Sequence, residues 1–269
     1  MRQPFHSVIF ALLMLASAFR AAPDISTFSA AVCPVVYQLD DSPGARGYHY
    51  VFYGNSFFIN RDGYLLTAAH VLSQFRDGSG QPCILVRLAM APPRLLKVQI
   101  IATDSEHDVA ILRVTPNPFA GPYNVAVLPL AAEKAPIGES VVANALRPAR
   151  LRDPHTFEMP IEDLAAGQIL NYLSVRLDSS PSGNAVLSKP NAGTDIFLFS
   201  HEVLRGQSGA PVLSADSHEV VGIVEGRWLH PAGTLATQGA AIPVTYALAL
   251  LREHHIAWDT LLASVSRNN

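Results

Sequence analysis

Side-chain chemistry could concentrate at three places in this chain: a serine between glycines (Gly206-Gln207-Ser208-Gly209), an aspartate opening an apolar run (Asp108 before Val109-Ala110-Ile111-Leu112), and a histidine after small residues (Ala68-Ala69-His70). A serine hydroxyl is a poor nucleophile unless a base takes its proton, and that base needs an acid to hold its tautomer. His70, Asp108 and Ser208 supply one candidate of each type. Small residues before His70 let the backbone turn tightly and leave the ring facing a cleft. Asp108 precedes a run that must be buried, where a carboxylate is costly unless hydrogen-bond donors meet it. Gly206 and Gly209 open backbone dihedrals closed to other residues, so that amide N–H groups can converge on one point.

Each segment alone has a plainer explanation. A lone histidine in apolar surroundings is ordinarily a satisfied core residue, and an aspartate at a strand start ordinarily caps a turn. A bare Gly-x-Ser-Gly arises by composition in on the order of one chain in ten. Asp104 is a competing carboxylate in a polar turn, without the buried flank of Asp108. The conjunction of all three types, each in the setting its role requires, is what points to nucleophilic catalysis.

The elements that must position these residues are mostly short strands. Val35–Leu39, Tyr48–Asn60, Tyr64–Thr67, Ile84–Ala89, Leu95–Ala102 and Val109–Val114 are rich in β-branched and aromatic residues and recur at about ten-residue spacing, with turn clusters between them. Pro116–Pro122 and Ala131–Gly138 read as a connector. Further strands are expected at Glu139–Ala145, Ala166–Leu177, Ala185–Leu187, Asp195–Ser200, Ala210–Leu213, Val220–Val224 and Ala240–Pro243. Leu248, Leu251, Ile256 and Leu261 fall at helical intervals, so the spacing predicts a helix over Val244–Ala263. Strands do not alternate with helices, which disfavours a parallel α/β sheet; a β sandwich or barrel fits.

Together the three segments resemble the trypsin/chymotrypsin-like serine peptidases: TAAH around His70, DVAIL from Asp108 and GQSG around Ser208 are similar to that family's motifs. The likeness extends from Ser29 to about Leu250 and is strongest to the bacterial Deg/HtrA-type branch, through GNSFFINRDGYLLTAAHVL (Gly54–Leu72), RGQSGAP and AAIPVTYALALL (Ala240–Leu251). The resemblance implies an all-β fold of two antiparallel six-stranded barrels with a C-terminal helix, the first barrel within 23–120 and the second within 121–269, forming one peptidase domain. It makes Ser208 the nucleophile, His70 the general base and then acid, Asp108 the residue that orients His70, and the backbone N–H groups of Gly206 and Ser208 the oxyanion hole, with Gln207 contributing only through its backbone. It maps Glu202 and Glu225 to a specificity pocket that would favour basic side chains. Because the first and fourth strands of such a barrel are neighbours, it also implies a Cys33–Cys83 disulfide. The chain departs from the family at Ala210, where a glycine is usual, and it has no I-V-G-G start and no residues for a PDZ domain after Asn269.

Composition narrows the remaining classes. Of the 269 residues, 49% are hydrophobic and 15% charged, which excludes a disordered chain. The 19 basic and 22 acidic residues give a net charge of −3, so no basic footprint invites nucleic acid. Mean hydropathy is +0.22, in part because Arg2 precedes the apolar run Val8–Ala18, which is too short to span a bilayer. With Ala16-Ser17-Ala18 as a small-x-small site, residues 1–22 read as a secretory signal peptide cleaved after Ala18 or Ala22. A secreted or periplasmic protein with no membrane attachment after cleavage is expected, acting on protein or peptide substrates without metal or other cofactor. Two readings compete with an active endopeptidase. A proteolytically inactive homologue could serve as a binding protein. An α/β-hydrolase would need the order serine, acid, histidine, recruiting Asp216 with His254 or His255.

Overall fold

The computed structural model describes residues 29–39, 50–75, 81–88, 93–148, 155–156, 160–174, 194–229 and 237–260. The expected signal peptide and the expected strand Ala185–Leu187 lie outside them. The first six strands are β1 (Val32–Gln38), β2 (Tyr50–Phe58), β3 (Tyr64–Ala68), β4 (Cys83–Val86), β5 (Arg94–Asp104) and β6 (Val109–Thr115). They lie in the order β1-β4-β5-β6-β3-β2, and β1 also pairs with β2, so the sheet closes. Closure removes exposed sheet edges, and the apolar side chains fill the interior. Phe57, Phe58, Leu65, Leu66, Ile84, Ile111 and Leu112 have no solvent exposure, each stabilising the fold by roughly 1.5–3 kcal/mol relative to exposure.

The second barrel contains β7 (Ser140–Arg147), β9 (Ile161–Ser174), β10 (Asp195–Phe199), β11 (Pro211–Ser214), β12 (Val220–Leu229) and β13 (Thr237–Pro243), in the order β10-β13-β12-β11-β7-β9. Between β7 and β9 the short β8 (His155–Thr156) pairs with β2, so the second half of the chain adds a rung to the first barrel's sheet. Every pairing between these strands is antiparallel. The α/β-hydrolase alternative, which needs a parallel sheet, is thereby overturned.

Two expectations need correction. The predicted C-terminal helix is shorter: α1 spans Val244–Glu253 and buries Val244, Ala247, Leu248, Leu250 and Leu251. It ends because His255 adopts a left-handed φ of 55°, with the His255 N–H donating to the Arg252 carbonyl at 3.1 Å and the Ile256 N–H to the Leu251 carbonyl at 2.9 Å. That pair of bonds is a Schellman stop, here without the usual glycine. No helix among the described residues is long and apolar enough to cross a membrane.

The second correction concerns the cysteines. Strands β1 and β4 are neighbours, yet Cys33 and Cys83 are both free and buried. The register sets Cys83 opposite Val36, three residues along from Cys33. Cys33 joins the main core, whereas Cys83 packs with Val36, Tyr50, Phe52 and Leu85 in a separate cluster. Burial pushes the Cys33 thiol up to about 12 and raises that of Cys83 as well.

Candidate active site

His70 lies in the 3-10 turn Ala69–Phe75 that follows β3. Asp108 occupies the tight turn between β5 and β6, at a φ of 57°. Left-handed backbone at a non-glycine residue is uncommon, and aspartate is one of the few residues that tolerate it. The turn brings the Asp108 carboxylate under His70: Oδ2 lies 2.7 Å from His70 Nδ1, and Oδ1 accepts the His70 backbone N–H at 2.8 Å. The Asp108 carbonyl also accepts the Ala69 N–H at 3.0 Å. Ring and backbone are therefore gripped by one residue that is 4% exposed. Asp104 pairs instead with its neighbour His107, whose Nδ1 is 2.6 Å away, and the His107 ring stacks on Tyr246 of α1.

Ser208 sits in the loop between β10 and β11. Residues Leu204 to Gln207 make a turn in which the Gln207 N–H donates to the Leu204 carbonyl at 3.2 Å and Gly206 takes a φ of 96°. A positive φ at the third residue is the type II pattern, which strongly favours glycine. The Gln207 side chain folds back so that Oε1 accepts the Leu204 N–H at 2.6 Å. Sequence reasoning assigned Gln207 only a backbone part; its buried side chain braces the loop. Among the described residues, no hydrogen bond runs from the amides of Gly206 or Ser208.

The loop is held from the other barrel by Asn55, which sequence reasoning missed. The Asn55 side chain, fully buried in β2, donates through Nδ2 to the carbonyls of Leu146 and Gly206, each at 2.9 Å, and its Oδ1 accepts the Leu146 N–H at 2.9 Å. Its backbone N–H donates to the Ser208 carbonyl at 2.8 Å, and its carbonyl accepts Thr67 Oγ1 at 2.6 Å. A Cβ at Gly209 would collide with the Asn55 carbonyl and with Thr67 Oγ1, so only glycine lets the loop approach so closely. The available signal was a carboxamide inside an aromatic strand, a group that cannot be buried without partners.

Of the two glutamates expected in a pocket, Glu202 is exposed. Glu225 is 1% exposed and sits where the β12–β13 register skips a residue, between Val224 and Gly226. Such a bulge frees a residue from the ladder and re-aims its side chain. The Glu225 carboxylate points into the site, where the polar atoms of His70, Asp108 and Glu225 all lie within 4.8 Å of one another. The Glu225 carbonyl accepts Ser208 Oγ at 3.0 Å. Ser208 thus meets the backbone carbonyl of Glu225, and the Glu225 carboxylate meets His70 and Asp108. Burial of the His70 ring pulls its pKa down, but the Asp108 hydrogen bond, the Asp108 charge and the Glu225 charge outweigh this and leave it raised above 6.5.

The matching of residues 54–223 to the trypsin-like peptidase domain decides the lineage. The chain belongs to the trypsin-like serine peptidase family. His70, Asp108 and Ser208 all fall within the matched residues. A probable periplasmic serine endoprotease, DegP-like, from Hahella chejuensis is 29% identical over 201 residues, covering 74% of this chain and 35% of that protein. The chain thus spans about a third of the curated relative it matches. The Rv3671c protease of M. tuberculosis in its active form superposes with a TM-score of 0.57 at 21% identity, covering 88% of this chain and 86% of that one. Its inactive form scores 0.56. The HtrA-type protease AlgW, solved with a decapeptide, scores 0.56 at 18% identity, covering 85% of this chain and 65% of that one. At these identities the superpositions establish the double-barrel fold.

Proposed function

We propose that this chain is an exported serine endopeptidase that hydrolyses peptide bonds through an acyl-enzyme. The observation that carries the reading is the grip of Asp108 on His70: a carboxylate bonded to Nδ1 leaves Nε2 as the basic nitrogen. Ser208 Oγ would attack the scissile carbonyl carbon while His70 Nε2 takes its proton. The carbonyl oxygen would become an oxyanion bonded to the Gly206 and Ser208 amides. His70 then returns the proton to the leaving nitrogen, the C–N bond breaks, and an ester to Ser208 remains. A water delivered through the same base releases the carboxylic acid and restores the serine. Export is supported by Arg2 and the run Val8–Ala18, and by the periplasmic description of the DegP-like relative.

A second reading, an inactive homologue serving as a binding protein, is favoured by one observation: the Ser208 hydroxyl rests on the Glu225 carbonyl. Labelling of the purified mature protein with a fluorophosphonate, mapped by mass spectrometry, separates the two. An adduct on Ser208 that disappears in His70→Ala supports the peptidase. No adduct under any condition overturns it in favour of the binding protein.

A further inference from the structure

Glu225 meets the proposed machinery at two points. Its carbonyl accepts the Ser208 hydroxyl at 3.0 Å, and its carboxylate lies within 4.8 Å of polar atoms of both His70 and Asp108. All of this happens at a residue 1% exposed to solvent. Two carboxylates in so small and dry a space both act on the imidazole, because each charge there changes the field at the ring. With both acids ionised, the arrangement is best balanced when the ring carries its second proton.

Few other ionisable groups face the cluster. Strands β11 and β13, which flank Glu225, carry no titratable side chain. Tyr64 of β3 lies under Arg113 of β6. Tyr246 of α1 stacks on His107, which is itself bonded to Asp104. Tyr53 of β2 packs edge-on against Phe75, and Tyr50 of β2 lies in the Cys83 cluster. Arg252 lies over Trp258, and Glu253 at the end of α1 is exposed. His70 therefore feels chiefly Asp108 and Glu225, and both favour its charged form.

We propose that Glu225 is a positioning residue that sets the proton threshold of the site: its buried carboxylate holds His70 in the imidazolium form, with the Ser208 hydroxyl parked on the Glu225 carbonyl, so that the base becomes available only at higher pH than Asp108 alone would require. This rests on the reading of Ser208 and His70 as nucleophile and base. The direction follows from the charges. A protonated ring cannot accept the serine proton, and a charge that favours the protonated ring moves the acid limb of the rate profile upward.

The test measures two quantities across pH in the wild-type protein, Glu225→Gln and Glu225→Asp. One is the rate of fluorophosphonate adduct formation at Ser208, and the other is the NMR titration of the His70 ring, assigned with His70→Ala. Expected for Glu225→Gln is an acid limb and a ring titration both moved down by about one to two pH units, with Glu225→Asp keeping most of the wild-type position. A merely structural role would lower the rate at all pH values without moving either midpoint, and that result overturns the proposal. A wild-type ring midpoint at or below 6.5 also overturns it, with no variant required. If no pH gives an adduct but the ring midpoint still falls in Glu225→Gln, the charge effect stands and the nucleophile assignment fails.

Discussion

Asp108 fixes His70 three times over, through the ring, through the His70 backbone N–H and through the neighbouring Ala69 N–H. Asparagine at this position would tolerate the left-handed backbone and could keep the acceptor for the His70 N–H. Its amide NH₂, however, would face Nδ1 and force the proton onto Nε2, which could then no longer act as a base. Asp108→Asn should therefore leave the melting temperature nearly unchanged and cut the adduct rate at Ser208 by roughly 10³–10⁴-fold. Near-normal labelling of this variant would remove Asp108 from the mechanism. The partnership of His70 with Asp108 was legible, and Ser208 could be nominated, because each proposed role demands a residue type in a local setting, and local settings can be read along the chain. Asn55 and Glu225 were not legible in the same way. The part each plays depends on which distant backbone groups arrive beside it, and in a strand sequence Glu225 looks like any polar residue before a glycine.

Short strands were visible from their composition, and the structure has them close to where they were expected. Register was not visible. The pairing of Cys83 with Val36 depends on where β4 stops sliding along β1, and a small slip there decides whether two thiols meet or face different clusters. The helix end was misjudged for a related reason: Ile256 continues the helical spacing, yet it is buried after a left-handed turn at His255. At this scale the free thiols make a direct prediction. The melting temperature of the purified protein should be the same with and without reductant, whereas a native bond would contribute about 2–4 kcal/mol and be lost on reduction. Denatured but not native protein should react fully with a thiol reagent, because the Cys33 thiol is buried and pushed up to about 12. A drop in melting temperature on reduction would show that the two strands can bring the sulfurs together.

At the scale of the whole molecule, the site exists only where the barrels meet. Asn55 ties β2 to Leu146 of β7 and to the Gly206 carbonyl of the Ser208 loop. Removing its side chain would leave those buried groups unpaired at about 1–3 kcal/mol each. Asn55→Ala should thus lower stability by about 3 kcal/mol and slow adduct formation beyond what the lost folded fraction explains. Equal labelling of the remaining folded protein would mean that the clasp supports the fold and not the loop.

The chain also crosses back beyond α1. The Asp259 N–H donates to the Ile59 carbonyl at 2.9 Å, the Asp259 carbonyl accepts the Leu130 N–H at 3.1 Å, and Asn60 Nδ2 donates to the Ala257 carbonyl at 2.5 Å. The Ile59 carbonyl and the Asn60 side chain just after β2, together with the Leu130 N–H of the connector, are met by residues 257–259. During synthesis, then, the barrel that leaves the ribosome first gains these bonds only after the second barrel and α1 have been made.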